Sequence, residues 1–146
     1  MTKSETERLV RKAEKLCQAR GARMTSTRKE VFAILAQQDG SIGAYDLLDQ
    51  LKIIVPNAKP PTIYRALDFL QEQGFVHKIT SSNSFELCSH FDHHHPVQML
   101  ICESCGNVQE IQSDGVYEEL QHQAEGQGFL LQEQTIEAHG LCAKCH

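Results

Sequence analysis

The chain has 146 residues, 40% of them hydrophobic, and a formal net charge of −5 at pH 7. This length accommodates one ordinary domain or two small ones. No apolar run approaches the length of a membrane span, and the first ten residues lack the apolar core of a leader peptide. We therefore expect a soluble, cytoplasmic protein without a membrane partner.

The charge is divided unevenly along the chain. Residues 1–88 carry 13 Lys and Arg against 10 Asp and Glu, whereas residues 89–146 carry 1 against 9. This asymmetry predicts two domains with a boundary after residue 88, the first of them free to approach a polyanion. A mildly basic surface that meets only solvent fits the same numbers.

The first half shows the apolar periodicity of four helices. The first helix carries an apolar stripe that includes Cys17, predicted as a small core residue, and it ends at Gly21. Thr25 is suited to cap the second helix, and Pro61 to open the fourth, which Gly74 closes. The predicted helices span residues 6–20, 26–39, 44–51 and 61–73.

The fourth helix has an apolar face, made by Ile63, Ala66, Leu67 and Leu70. Thr62, Tyr64 and Arg65 cluster near its N-terminus outside that face, where a recognition helix meets base edges and arginine can bind guanine through two hydrogen bonds. Two β-rich runs, residues 75–80 and 85–88, follow around a Ser/Asn turn and predict a hairpin. Helices followed by a hairpin are the order of a winged-helix DNA-binding domain. A helical domain whose polar face meets only solvent is the alternative.

The second half begins with a predicted linker and continues as a β-β-α-β unit. Ser113 or Asp114 is suited to cap its helix. Three strands are marginal alone, and an open sheet edge favours pairing with a second copy, so we expect a homodimer. The predicted segments are the linker 89–97, strands 97–101 and 108–111, a helix 115–127 and a third strand 129–138.

Two Cys-x-x-Cys pairs, separated by 36 residues, bring four thiols to this half. Each pair forms a tight turn that directs two sulfurs at one ion, and Gly106 suits the turn after the second sulfur. Four sulfurs close the coordination sphere, so the predicted zinc is structural, with an apparent binding energy on the order of 10–16 kcal/mol that counts as folding energy. Two unrelated thiol pairs, redox-active or bridged, are the alternative. The predicted ligands are Cys102, Cys105, Cys142 and Cys145.

A second group of candidate metal ligands remains once these four cysteines are set aside. A thiolate with two imidazoles and a carboxylate suits zinc, because thiolate favours zinc or copper(I) over iron(II) or manganese(II). Ligands drawn from both domains would let the metal fix their relative orientation and so select the arrangement competent for DNA. Solvated side chains that bind no metal are the alternative for each residue taken alone. The group comprises His77, Cys88, His90, His93, His94, His95 and Glu110.

Six segments of the chain carry a resemblance to a known family. They are residues 23–28, 44–48, 59–67, 74–78, 102–106 and 136–145. The proline-led fourth helix and the two Cys-x-x-Cys pairs are specific in combination. Through these segments nearly the whole chain resembles the ferric uptake regulator family of bacterial metal-sensing repressors, most closely its zinc uptake regulator branch.

The resemblance implies a zinc-loaded homodimer that binds palindromic operator DNA and represses zinc uptake genes, with two zinc ions per chain. The implied fold is α+β, an N-terminal winged-helix DNA-binding domain plus a C-terminal zinc-stapled α/β dimerisation domain. The implied sensor ligands are His77, Cys88, His95 and Glu110. The implied DNA contacts are Tyr45, Tyr64 and Arg65, to which the helix pattern adds Thr62.

One departure from the family pattern concerns the histidines before the first Cys-x-x-Cys pair. The iron branch has a His-His-Asp-His run there, whereas this chain has three histidines followed by proline, residues 93–96, and an added Cys88. The added thiolate favours zinc but leaves open which of the adjacent histidines is the ligand. A weaker third site is not expected; its candidates would be His90, His93, His94 and His122.

Three other functions fit parts of the sequence. A sensor of iron, manganese or peroxide would share the family and differ in metal selectivity. A thiol redox enzyme would need an accessible cysteine of low pKa, typically at a helix N-terminus, and neither Cys-x-x-Cys pair precedes a predicted helix. A zinc buffer or chaperone would have no use for a DNA-reading helix. We predict no catalytic residues and no enzyme activity.

Overall fold

The computed structural model describes residues 2–92 and 95–146, which form two units, Met1–His93 and His94–His146. We refer to them as the N-terminal and the C-terminal unit. This division lies five residues after the predicted domain boundary, which follows residue 88. The boundary between the functional domains stays a prediction. Within the described ranges, no helix is both long and apolar enough to cross a membrane.

The N-terminal unit has the element order of a winged helix preceded by one extra helix. Its sheet is antiparallel with the strand order β1-β3-β2. The predicted helices and the hairpin are all present. The structure adds the strand β1, which has only two residues and therefore gives no recognisable sequence pattern. The elements are α1 (Lys3–Ala19), α2 (Ser26–Ala36), β1 (Ile42–Gly43), α3 (Ala44–Ile54), α4 (Pro60–Glu72), β2 (Val76–Ile79) and β3 (Ser84–Leu87).

Local side-chain chemistry explains where these helices begin. The hydroxyl of Thr2 accepts from the backbone N–H of Glu5, whose carboxylate accepts from the Thr2 N–H, so this capping box starts α1 before the predicted residue 6. The Thr25 hydroxyl accepts from the Arg28 N–H at 3.4 Å and starts α2 as predicted.

The core of the N-terminal unit contains three aromatic rings in edge-to-face contact. The ring centroids of Phe32 and Phe75 are 5.9 Å apart, and that of Phe91 lies 5.7 Å from the first and 5.3 Å from the second. Cys17 is fully buried in the same core, as predicted. The sequence predicts a linker from residue 89, but Phe91 is only 4% exposed, so that prediction is wrong at this residue. A ring of this kind gains roughly 1.5–3 kcal/mol on burial, which a free linker would forgo.

The C-terminal unit has the predicted β-β-α-β order. Its strand β4 pairs antiparallel with β5 and parallel with β6, which gives the strand order β5-β4-β6. The elements are β4 (Val97–Cys102), β5 (Val108–Ile111), α5 (Asp114–Gly126) and β6 (Thr135–Gly140).

The third strand of this unit is shorter than the predicted range of 129–138. After α5 the chain turns at Gly128, whose φ of 67° favours glycine, and the Phe129 N–H returns to the Ala124 carbonyl at 2.8 Å. Thr135 is the first residue of β6 and pairs with Val97, the first residue of β4. The residues before Thr135 therefore have no stretch of β4 to pair with, and the strand prediction is wrong there.

A buried polar network replaces an apolar core in this unit. The Gln98 amide donates to the Ser113 carbonyl at 3.1 Å and to the Gln134 amide oxygen at 3.3 Å, and it accepts from the Ser113 N–H at 3.2 Å. Among the described residues of the unit, only Met99 and Cys102 are buried hydrophobic residues, and α5 buries none of its side chains. The C-terminal unit thus holds little apolar surface inside itself.

Candidate metal centres

The two Cys-x-x-Cys pairs meet because their strands are neighbours. Cys102 ends β4 and is paired in register with Gly140 at the end of β6, so the turns that follow both strands lie side by side. In the first turn the Gly106 N–H donates to the Cys102 carbonyl at 2.9 Å, and a φ of 75° at Gly106 closes it. In the second turn the Cys145 N–H donates to the Cys142 carbonyl at 2.9 Å.

The four sulfurs have the spacing that a tetrahedral zinc requires. All lie within 4.8 Å of one another, and the Sγ atoms of Cys105 and Cys142 are 3.7 Å apart. Zinc–sulfur bonds of about 2.3 Å correspond to a tetrahedron edge of about 3.8 Å. The backbone N–H groups of Cys105 and Cys142 donate to Cys102 and lower the pKa of its thiol to about 6. All six cysteines are free thiols, so the bridged alternative has no support.

The N-terminal unit brings two of the predicted sensor ligands together. His77 on β2 is paired with Glu86 on β3, and Cys88 lies two residues beyond Glu86 on the same side of the hairpin. A ring nitrogen of His77 and the Cys88 sulfur lie within 4.8 Å of each other. The Cys88 thiol is 1% exposed, its backbone N–H donates to the Phe75 carbonyl at 2.7 Å, and its sulfur accepts from the His90 N–H at 3.3 Å.

The C-terminal unit brings the other two predicted sensor ligands together. The Nε2 atom of His95 lies 3.4 Å from a carboxylate oxygen of Glu110, and both side chains are about nine-tenths buried. The Nδ1 atom of His95 lies 2.9 Å from the Pro96 carbonyl oxygen. A proton on Nδ1 would be donated to that carbonyl and would leave the lone pair of Nε2 facing the carboxylate. Two electron-rich groups that face each other in this way would be stabilised by a cation between them. Zinc bonds to nitrogen and oxygen of about 2.1 Å correspond to an edge of about 3.4 Å.

The remaining histidine candidates for a third site are only partly described by the structure. His93 and His94 lie outside the described residues. Neither His90 nor His122 belongs to a cluster of three or more donor groups within residues 2–92 and 95–146. The expectation that no third site forms thus stays a prediction. Of the three adjacent histidines 93–95, the structure describes His95, which lies beside Glu110.

The predicted DNA-contacting residues lie on exposed parts of two helices. Tyr64 and Arg65 are exposed on α4, opposite the buried Ile63 and Leu67, as the helix pattern predicts. Tyr45, in the first turn of α3, is 67% exposed. The Thr62 hydroxyl accepts from the Lys59 N–H at 3.2 Å, so this side chain also fixes the start of α4.

Sequence reasoning missed residues that hold this helix in place. The Arg28 guanidinium lies over the Phe69 ring on α4, 3.7 Å from its centroid, and donates to the Arg23 carbonyl at 2.6 Å. Arg28 therefore attaches the loop between α1 and α2 to the buried side of α4. The only signal in the sequence was that both arginines belong to one of the six resembling segments.

The fold and the donor groups define an α+β protein in which a winged-helix unit precedes a unit with a tetracysteine cluster. Residues 19–139 match the model of the Ferric uptake regulator family, and the chain belongs to this family. It is 51% identical over 146 residues to the "Zinc uptake regulation protein" of Escherichia coli (strain K12), which covers 99% of this chain and 85% of that protein.

Two solved structures extend this similarity to three dimensions. A zinc uptake regulator complexed with zinc and DNA is 50% identical, with a TM-score of 0.92 over 99% of this chain and 95% of that chain. The holo form of XcZur is 42% identical, with a TM-score of 0.84 over 93% of this chain and 95% of that chain.

Proposed function

We propose that this chain is a zinc-responsive transcriptional repressor that binds palindromic operator DNA as a zinc-loaded homodimer and represses zinc uptake genes. The observation that carries the proposal is the buried Cys88 thiol beside His77, in a chain similar over nearly its whole length to a regulator solved with zinc and DNA. The similar proteins described above are regulators, and the protein is a regulator and not an enzyme. Because a repressor must reach operator DNA, we expect it in the cytoplasm.

The tetracysteine cluster is proposed as the structural zinc site. A bound zinc supplies a cross-link between the end of β4 and the chain after β6. The chain contributes preformed turns, since two of the sulfurs are already 3.7 Å apart and backbone N–H groups lower the pKa of Cys102 and so favour its thiolate. The ligands are Cys102, Cys105, Cys142 and Cys145.

The sensor zinc is proposed to bind one residue pair from each unit, which makes two zinc ions per chain. The pair of His77 and Cys88 supplies nitrogen and sulfur, and the pair of His95 and Glu110 supplies nitrogen and oxygen. A four-ligand site of this composition suits zinc better than iron(II) or manganese(II) because of its thiolate. Four ligands shared between the units would restrict how they move, and a preference of about 10⁴-fold for one arrangement changes its population from 1% to 99%.

DNA recognition is proposed for the exposed face of α4. Tyr64 and Arg65 extend from its N-terminal half, where a recognition helix contacts base edges, and Tyr45 and Thr62 lie at the starts of α3 and α4. In a dimer on a palindrome, two such helices enter successive major grooves about 34–36 Å apart. The excess of Lys and Arg in residues 1–88 favours this unit for the contact with DNA.

The C-terminal unit is proposed as the dimerisation surface. It buries few hydrophobic side chains, and α5 buries none of its residues. A second copy covering this surface would bury apolar area that the isolated unit leaves in water. The exposed hydrophobic residues of the unit are Leu100, Ile111, Val116, Leu120, Phe129, Leu130 and Leu141.

The test measures binding to a fluorescent promoter fragment of a zinc uptake gene while free zinc is buffered over several decades. Iron(II) and manganese(II) titrations run in parallel. We expect tight binding only with zinc, at a level beyond one zinc per chain. Cys88→Ser is expected to abolish the zinc response while one zinc per chain remains bound. Binding that ignores zinc, or that follows iron or manganese, would contradict the proposal.

A further inference from the structure

The segment after β3 is held in the core of the N-terminal unit by Phe91. This ring is 4% exposed and makes edge-to-face contacts with Phe32 of α2 and with Phe75, which precedes β2. Two hydrogen bonds hold the chain between the end of β3 and Phe91. The N–H of Cys88 donates to the Phe75 carbonyl, and the N–H of His90 donates to the Cys88 sulfur. Phe91 therefore fixes the turn that carries the Cys88 thiol.

A second contact attaches the same turn to α1. The Lys12 ammonium lies 3.3 Å from a carboxylate oxygen of Asp92 and 5.0 Å from the centroid of the Phe91 ring. Both charged side chains are about half exposed, so the ion pair itself is weak, and the cation–ring contact adds to it. We call Lys12, Phe91 and Asp92 the turn anchor.

We propose that the turn anchor is a positioning device for the sensor zinc, which raises zinc affinity by holding the turn that carries the Cys88 thiol. The inference rests on the proposed function, since it takes Cys88 and His95 as ligands of one ion. Neither Phe91 nor the charged pair touches the metal. Their effect is to keep the Cys88 thiol in place.

Groups that orient a metal ligand without binding the ion change metal affinity by about 10- to 100-fold when they are removed. Leucine keeps part of the apolar contact that the Phe91 ring makes. For Phe91→Leu we therefore expect the affinity for the second zinc to fall about three- to tenfold.

The experiment titrates zinc into the full chain with its structural zinc retained, in competition with a chromogenic chelator, and then repeats the operator titration. Phe91→Leu is expected to weaken the second zinc about three- to tenfold and to move the operator curve to higher free zinc by the same factor. Affinity for the operator at saturating zinc is expected to stay unchanged, because the face that reads DNA is intact.

Leu51→Ala is the matched control, since it removes apolar volume from a fully buried side chain of the same core that lies on α3. It is expected to lower thermal stability without moving the zinc curve. Equal shifts in the two variants, or no shift in Phe91→Leu, would reduce Phe91 to a core residue and overturn the inference. A wild-type chain without a second zinc, or without zinc-dependent operator binding, would instead overturn the proposed function.

The charged pair offers a test that leaves the core untouched. Asp92→Asn and Lys12→Gln are each expected to weaken the second zinc by about two- to threefold, consistent with a half-exposed pair. The exchanged pair, Lys12→Asp with Asp92→Lys, is expected to recover part of that loss. Variants that bind the second zinc as tightly as the wild type would exclude the pair from the turn anchor.

Discussion

The two units reach stability by different means. The N-terminal unit buries a continuous apolar cluster that joins four helices and a hairpin, including a three-ring aromatic contact. In the C-terminal unit only Met99 and Cys102 are buried hydrophobic residues among those described, and Gln98 and Gln134 form a buried polar contact beside them. Small units with little core usually need a metal or a partner. From this difference we expect one unit to fold by its apolar core, and the other to depend on the proposed structural zinc and on dimerisation.

Removal of the structural zinc should have the largest effect on this contrast. Cys105→Ser is expected to unfold the C-terminal unit, because a structural zinc contributes on the order of 10–16 kcal/mol to folding. The backbone amides of the N-terminal unit are expected to stay protected from hydrogen exchange. Hydrogen exchange followed separately in the two units is the measurement. Cys17→Ala is the control, a buried thiol outside the cluster, expected to retain zinc. Loss of protection in both units together would contradict the contrast.

The converse change removes core volume from the N-terminal unit. Phe32→Ala is expected to lower its free energy of unfolding by about 3–5 kcal/mol, the usual result of deleting a buried aromatic ring. Urea denaturation monitored in each unit would show the loss in the N-terminal unit only. Ile53→Ala is a suitable control, since that side chain is 83% exposed and should change stability by less than about 0.5 kcal/mol.

The glutamine network gives a smaller effect in the C-terminal unit. Gln98→Leu is expected to destabilise that unit by about 1–3 kcal/mol, because the Ser113 N–H and the Gln134 amide lose a buried partner. Exchange protection of the first turn of α5 is the sensitive measurement, since Ser113 caps this helix. Replacing Gln98 and Gln134 together by leucine should cost less than Gln98→Leu alone. The opposite ranking would show that the network has another role.

Arg65→Ala tests whether reading of DNA is confined to the N-terminal unit. It is expected to weaken operator binding by about 1–3 kcal/mol and to relax the preference for one base position, with both units as stable as before. Titration against a set of operators with single base changes measures both quantities. Uniform weakening at every sequence would assign Arg65 to a phosphate contact. Lys78→Ala, on β2, serves as a comparison for general loss of positive charge.

Prediction from sequence was strongest where chemistry acts locally. Thr25 caps α2, α4 ends before Gly74, and the Cys-x-x-Cys spacing anticipated the tetracysteine cluster. It failed where the outcome depends on distant partners. The strand expected from Phe129 lacks a stretch of β4 to pair with until Thr135.

The candidate site was only partly accessible to sequence reasoning for the same reason. The types of ligand follow from the chemistry of zinc, but the proposal of His95 rests on its distance to Glu110, which lies on β5 and is remote along the chain. Phe91 was assigned to a linker because nothing in its neighbourhood along the chain reveals the two rings that receive it. Patterns over a few neighbouring residues cannot predict contacts between residues that are distant along the chain.

The adjacency of β4 and β6 also sets an order of assembly. The β4–β5 hairpin closes a short segment and is expected to form early, and Cys102 and Cys105 lie at its turn. The parallel pairing of β4 with β6 joins parts of the chain whose cysteine pairs are 36 residues apart, so it is the slower step. A zinc ion first held by the cysteines of the hairpin would favour the register of β6 that brings Cys142 and Cys145 to the same ion. The proposed metal would then guide folding as well as stabilise the folded unit.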